Sequence, residues 1–406
     1  MKKGNDNKNN DKILNVPHLR FKEFSGEWEK VELNQVANKV TKKNKDVKIN
    51  ETFTNSAEYG VINQKDFFDK SISNADNIDN YYVVSPNDFV YNPRISNFAP
   101  VGPINKNNLG RCGIMSPLYT IFTVKNINAT FLEYYFKSNH WHYYMYCNGD
   151  NGARHDRFSI SDTLFFKMPI PITMSNEQQK IATFLTLIDK RIETQMKIIK
   201  EIESLKNSIV IKIFGDKSKF LKKWTKTKLS DILKERKQYA QKGSKYTHVT
   251  LSKEGVVNKT DRYNRDFLVK DEEKEYKVTN LNDICYNPAN LKFGVICLNK
   301  YGDAIFSPIY VTYEINQNYN PLFIELALTN STFIGHIRKY EQGTVYERMA
   351  VSSEDFLKGT IIAPPFEDQN NIVKIFNIID GKLEIEKNIL DKLKLQKNYL
   401  LNNMFV

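Results

Sequence analysis

Two stretches of this chain set side chains with forked hydrogen-bonding groups on what read as loops. Tyr91, Asn92 and Arg94 follow one apolar run, and Tyr286, Asn287 and Asn290 follow a matching one. A second polar turn, Gly152-Ala153-Arg154-His155-Asp156-Arg157, is mirrored by Gly343-Thr344-Val345-Tyr346-Glu347-Arg348. Arg presents paired donors that match guanine, Asn and Gln match adenine, and Lys, Ser and Tyr hold phosphates. Tyr91, Asn92, Arg94, Arg154, His155, Arg157, Tyr286, Asn287, Asn290, Tyr346 and Arg348 are therefore the candidate DNA-binding residues. The competing reading is that Asn-Pro only makes a turn and that the arginines face solvent.

Catalytic signatures are weak or broken. Ala363-Pro364-Pro365-Phe366 has the outline of an amino-methyltransferase loop, but alanine stands where an acceptor for the target amine is needed. It reads as a stop before a helix. No GxxxxGK[ST] run cradles a nucleotide phosphate. Asp271-Glu272-Glu273-Lys274 outlines a nuclease element, yet acidic runs are usually solvated faces. His140, His142, Cys147 and His155 match no common zinc spacing, so the sequence implies no metal and no catalytic residue.

The elements that position the candidate residues belong to a chain of 406 residues, longer than one core usually organises. Lys and Arg number 59 against 47 Asp and Glu, a net charge of +12 that points to a polyanion as partner. No apolar run approaches the roughly 18–20 residues of a membrane span, and no signal peptide is present, so a soluble, cytoplasmic protein is expected. Cys112, Cys147, Cys285 and Cys297 form no CxxC pair and read as reduced, mostly buried thiols. Residues 1–13 are nearly all polar, the composition of a disordered tail.

The second half repeats the first at an offset of about 191–196 residues. Trp28 and Leu33 are answered by Trp224 and Leu229, and Asn87-Asp88-Phe89-Val90-Tyr91-Asn92-Pro93 by Asn282-Asp283-Ile284-Cys285-Tyr286-Asn287-Pro288. Ser116-Pro117-Leu118-Tyr119 is answered by Ser307-Pro308-Ile309-Tyr310. Each half begins with short β-rich runs, such as Tyr81–Val84 and Leu118–Val124, separated by Asn, Gly and Pro turns. Each then passes, after Pro169-Ile170-Pro171 or Pro364-Pro365, into a long helical period. The expected parts are a tail (1–13), a first domain (14–175), a first helix (176–215), a second domain (216–365) and a second helix (366–406).

Ile181, Leu185, Ile188, Ile192, Ile199, Ile202, Ile209 and Ile213 follow alternating steps of four and three, the seam of a coiled coil. Adding 191 gives Ile372, Phe376, Ile379, Leu383, Leu390, Leu393, Leu400 and Met404. Polar rungs recur at the same steps, Gln195 and Lys206 in one helix and Glu386 and Lys397 in the other. The fold class expected is therefore α/β (α+β) domains alternating with long α-helices. The tandem repeat is pseudo-twofold, with the two helices in an antiparallel coiled coil. The rival is that each helix only covers its own domain.

Pro17-His18-Leu19-Arg20-Phe21 with Phe24-Ser25-Gly26-Glu27-Trp28 resembles the opening of type I restriction-modification specificity subunits. So do Glu177-Gln178-Gln179-Lys180-Ile181-Ala182 running into Leu187-Ile188-Asp189, and a weaker copy, Glu367-Asp368-Gln369-Asn370-Asn371-Ile372 running into Ile378-Ile379-Asp380. The resemblance implies two target recognition domains, each reading half of an asymmetric interrupted DNA target, with paired helices setting the gap. It also implies two methyltransferase subunits, which bind S-adenosylmethionine, and restriction subunits, which use ATP and Mg, leaving this chain without a cofactor. The rivals are an enzyme of a compact fused methyltransferase or nuclease system, and a coiled-coil scaffold for nucleic acid or protein.

Overall fold

The computed structural model describes residues 15–67, 75–152, 156–215, 224–241, 245–253, 255–258, 275–343 and 349–406. The polar tail 1–13 and the acidic run Asp271–Lys274 lie outside the described residues. The chain forms two compact units, one of residues up to Met196 together with Ile389–Val406, the other of Lys197–Asn388. Each unit thus holds one sheet-containing domain and a length of both long helices, Ser175–Phe214 and Phe366–Asn403.

In the first unit an antiparallel sheet runs in the order Ala37–Lys39, Thr120–Val124, Phe89–Tyr91, Ile104–Lys106. Its central strand is buried on both faces. Phe89 and Tyr91 pack with Trp28, Phe122, Phe131 and Phe165, while Val90 turns the other way onto Phe53, Val61 and Val84. Strand Glu29–Glu32 pairs with Pro169–Ile172, where prolines that cannot donate are tolerated because the ladder has only two strands. Helix Ala129–Lys137 covers the sheet, capped by Asn128, whose side chain accepts from the Phe131 N–H at 3.0 Å.

The second unit repeats this plan. Its corresponding sheet runs Leu233–Glu235, Val311–Ile315, Ile284–Tyr286, Ile296–Leu298, and Thr225–Lys228 pairs with Thr360–Ala363. Ile284 and Tyr286 face one core and Cys285 the other. The second layer is a five-stranded sheet here, including a parallel pair at Thr247 and Ala304. In the first unit the same layer is two hairpin-like pairs joined by bridges, one of them a parallel bridge between Thr52 and Ile114. Asn87 and Asn282 both adopt φ of 68°, the left-handed conformation that Asn tolerates best after Gly, which explains why the turn residue is duplicated.

The helices pair antiparallel within each unit. In the first, Lys397 meets Asp189 at 2.6 Å, while Leu401, Met404 and Phe405 join the core that holds Ile181 and Leu185. In the second, Lys387 meets Glu203 at 3.1 Å and Lys206 meets Asp380. Lys206 and Lys397 are equivalent by the offset of 191, as are Asp189 and Asp380, so the two units close with the same ion pair. Seam residues Ile181, Leu185, Ile199, Phe376, Leu383 and Leu393 are buried, and Ile188, Ile192, Ile202, Ile372, Ile379 and Leu390 are half-buried, amid exposed neighbours. The polar rungs Gln195 and Glu386 are only 8% and 6% exposed. The rival expectation holds for the first turns alone, where Ile181, Leu185 and Val373 serve the domain cores.

The expectation of mostly buried thiols needs correction. Cys285 and Cys297 face each other on paired strands in a core, but Cys112 and Cys147 are exposed. Cys112 lies in the turn before strand Gly113–Met115, and Cys147 is on the outer face of helix His142–Asn148.

Candidate nucleic-acid interface

The apolar run before each Asn-Pro is a strand sandwiched between two cores, and this decides the fate of the tyrosines. Tyr91 is 3% exposed, stacks on Phe165 at 4.9 Å and donates its hydroxyl to the Val101 carbonyl at 2.9 Å. Tyr286 is fully buried, stacks on Phe356 at 4.6 Å and donates to the Val351 carbonyl at 3.0 Å. Burial pushes both phenols above their usual range. Neither tyrosine can reach a nucleic acid, and both leave the candidate set.

The asparagines make turns. Asn92 Oδ1 accepts from the Arg94 N–H at 3.0 Å while its Nδ2 donates to the Asn55 carbonyl at 2.8 Å. Asn287 Oδ1 accepts from the Ala289 N–H at 3.1 Å and caps the short helix Pro288–Phe293. Asn290 lies within that helix, half-buried, and its main chain carries the turn. The competing turn reading therefore fits Asn92, bonded at both ends of its side chain, and Asn287, whose side-chain oxygen caps its turn.

The arginines are held differently. Strands Asp150–Asn151 and Phe158–Ser159 form a hairpin base, closed by Gly152 N–H donating to Arg157 O at 2.9 Å. The hairpin is pinned to the Asn92 turn, since Phe158 N–H donates to Pro93 O at 2.7 Å and Ile95 N–H to Asp156 O at 3.1 Å. Arg94 and Arg157 thereby form an antiparallel bridge, and both are exposed. They line the mouth of a cavity of about 410 Å³ whose walls include Thr52, Gln64, Tyr81, Leu118 and Tyr119. Arg154 and His155 lie outside the described residues.

In the second unit the equivalent hairpin closes through reciprocal bonds of 2.9 Å between Gln342 and Ala350. Val351 N–H donates to Pro288 O at 3.3 Å, which ties this hairpin to the Asn287 turn. Tyr346 and Arg348 lie outside the described residues. The wiring beneath differs between the units. Asp283 and its counterpart Asp88 both accept from a main-chain N–H three residues earlier, at 2.8 and 2.7 Å, but Asp283 is also gripped by Arg236 at 2.7 and 2.9 Å, where Asp88 has Val40 in place of that arginine. Burial pushes the Asp88 carboxyl above the usual carboxylate range.

The motif at the start of each long helix is a clamp that the sequence did not disclose. Gln178, 5% exposed, accepts from the Asn128 N–H at 2.9 Å and donates to the Thr173 carbonyl at 2.7 Å. Gln369, 1% exposed, does the same with Asn320 N–H and the Pro364 carbonyl, both at 2.9 Å. The weaker copy therefore aligns one residue later than it reads: Gln369 matches Gln178, and exposed Asp368 stands where Glu177 is fully buried. Glu177 is held by Arg20 at 2.7 and 2.8 Å, a contact with no counterpart among the described residues of the second unit. Asp189 and Asp380 were also missed as partners of the polar lysine rungs. Their signal was present, since an antiparallel pairing in one phase sets each opposite a lysine.

Among the described residues no group of three or more His, Cys, Asp and Glu side chains is arranged to hold a metal ion, and no helix is long and apolar enough to cross a membrane.

Residues 25–204 match the family model of the type I restriction modification DNA specificity domain. In fold, the chain is similar to the type I restriction-modification S subunit from M. genitalium, with a TM-score of 0.52 and 16% identity over 96% of this chain and 99% of that one. It is also similar to a chain from a structure concerned with complex assembly and conformational transition of the type I R-M system. There the TM-score is 0.57 at 12% identity, over 93% of this chain and 97% of that one. The specificity-domain model is thus matched over the first unit's domain and first helix, and the fold of these two structures is followed along nearly the whole length of the chain.

Proposed function

We propose that the two units each read one half of an interrupted, asymmetric DNA target, and that the chain carries methyltransferase and restriction subunits to it without catalysing either reaction. The observation that carries this reading is the pair of matched frames with unmatched loops. Each unit pins a hairpin against an Asn-Pro turn by main-chain bonds, while the residue beside that turn differs, Arg94 in the first and Asn290 in the second, and so does the sequence between the hairpin glycine and arginine, Ala153-Arg154-His155-Asp156 against Thr344-Val345-Tyr346-Glu347. Equal frames deliver recognition groups to equal places, and different groups at those places favour different bases. The basic surplus, shared evenly by the two halves, supplies sequence-independent attraction to phosphates.

Protein partners are favoured by the outer flank of the helices. Leu187 and its equivalent Ile378 are 57% and 72% exposed, and Ile375 and Ile385 extend that flank in the second unit. Apolar side chains at such spacing on a helix already paired along another face suit a further protein surface. S-adenosylmethionine, ATP and Mg would then be bound by the partner subunits, and the double-stranded DNA target would be methylated on adenine or cleaved by them.

The test is Arg157→Ala in the assembled complex, with duplexes varied position by position. Loss of discrimination confined to one half of the target supports the reading. Equal loss in both halves with the fold intact removes the model of one unit per half.

A further inference from the structure

We propose that Gln64 reads an adenine in the half-site of the first unit, a step that rests on the DNA-reading function above. The reading rests on the polar groups around the 410 Å³ cavity. Most are committed. Asn55 donates to the Val90 and Pro103 carbonyls and accepts from Asn105, Asn92 is used at both ends, and the Thr54 hydroxyl meets the Tyr119 hydroxyl at 3.2 Å. Ser56, Ser96 and Ser116 accept from main-chain N–H groups of their own turns. Bonds at both ends hold the Asn55 and Asn92 carboxamides in place, and the serine hydroxyls, though each keeps an O–H donor, lack the side-by-side donor and acceptor of a free carboxamide.

Gln64 is the carboxamide in this lining that remains available. It begins the short helix Gln64–Phe67, and its main-chain N–H donates to the Thr52 carbonyl at 2.9 Å, which ties its backbone to the edge of the cavity. Its side chain is half-buried and hydrogen-bonds to no described residue. A half-buried carboxamide fixed at the backbone has lost part of its freedom and its solvent while keeping one donor and one acceptor. That pair matches the Hoogsteen edge of adenine, where N6–H donates and N7 accepts. Arg94 and Arg157 at the mouth offer the donor forks that match guanine, and exposed Leu118 offers an apolar contact that suits a thymine methyl group. The lining thus reads as a recognition surface for a short mixed sequence, with Gln64 as its adenine reader in place of Asn92.

The experiment uses the full chain assembled with its methyltransferase subunits. Binding competition is measured against duplexes in which each target position is substituted in turn, for the unaltered protein, Gln64→Ala and Gln64→Glu. Gln64→Ala is expected to reduce discrimination at a single adenine of one half-site by about five- to 150-fold, leaving the other half-site unchanged. Gln64→Glu, which can only accept, is expected to shift the preference at that position towards cytosine. Unchanged discrimination at every position overturns the proposal, as does uniform weakening across all sequences, which would mark a phosphate contact. If the unaltered protein shows no split target, the DNA-reading function fails and this proposal with it; if it shows one that ignores Gln64, this proposal alone fails.

Discussion

Replacing Gln178 by alanine would remove two of the bonds that fasten the start of the first long helix to its domain. The side chain is 5% exposed, so the Asn128 N–H and the Thr173 carbonyl that it satisfies would be left in a space too small for easy access by water. Each orphaned group costs about 1–3 kcal/mol, and allowing for partial relaxation the expected loss is about 2–4 kcal/mol. Gln179 supplies the control. It is exposed and makes a bond to Asn128 Nδ2 at 2.8 Å and another to Thr183 at 3.1 Å, so Gln179→Ala should cost no more than about 1 kcal/mol. Gln369→Ala should reproduce the Gln178 effect in the second unit, because its two bonds are the same. With two units, a single melting curve does not define one free energy, so amide hydrogen exchange resolved by peptide is the suitable assay. Gln178→Ala should accelerate exchange around Asn128 and the start of Ser175–Phe214, and Gln369→Ala around Asn320 and the start of Phe366–Asn403. A Gln178→Ala variant no less protected than Gln179→Ala would refute the clamp.

Two further outcomes are expected. Asp189→Lys should place two ammonium groups together at Lys397 and cost about 1 kcal/mol, most of which adding Lys397→Asp should restore. Restoration is incomplete because Asp189 also accepts from the Tyr134 hydroxyl at 2.9 Å; strictly additive effects in the double-mutant cycle would contradict a direct pair. His142, packed edge-on against Trp141, is held below the usual histidine range by burial. The unfolded chain therefore takes up the proton first, so the contribution of His142 is present above about pH 6.5 and is lost as pH falls towards the folded value. Chemical denaturation of the first unit across that window should show a shallower pH slope for His142→Gln, and an unchanged slope would refute the assignment.

The repeat, the helix seam and the order of parts were legible because they are periodic, and periodicity survives in a linear string. Offset alone aligned Asp189 with Asp380 and Lys206 with Lys397, though the ion pairs required knowledge of which residues face each other. Tyr91 and Tyr286 were misjudged for a definite reason. A strand exposed on one face alternates buried and open side chains, but Phe89–Tyr91 and Ile284–Tyr286 lie between two cores, so every residue is buried. The last strand residue therefore resembles a loop residue by position and a core residue by environment. Asn92 and Gln64 show the converse limit. Both types can read adenine, and which of them is free depends on bonds to Asn55 and Arg94 that no spacing rule reveals.

The central claim is tested most directly by a single-base map of methylated adenines in the source cell, with this gene intact and deleted. The account predicts that deletion abolishes methylation at one split, asymmetric motif and leaves other sites unchanged. Persistence of every methylated motif in the deleted strain, with the partner methyltransferase expressed, would contradict it.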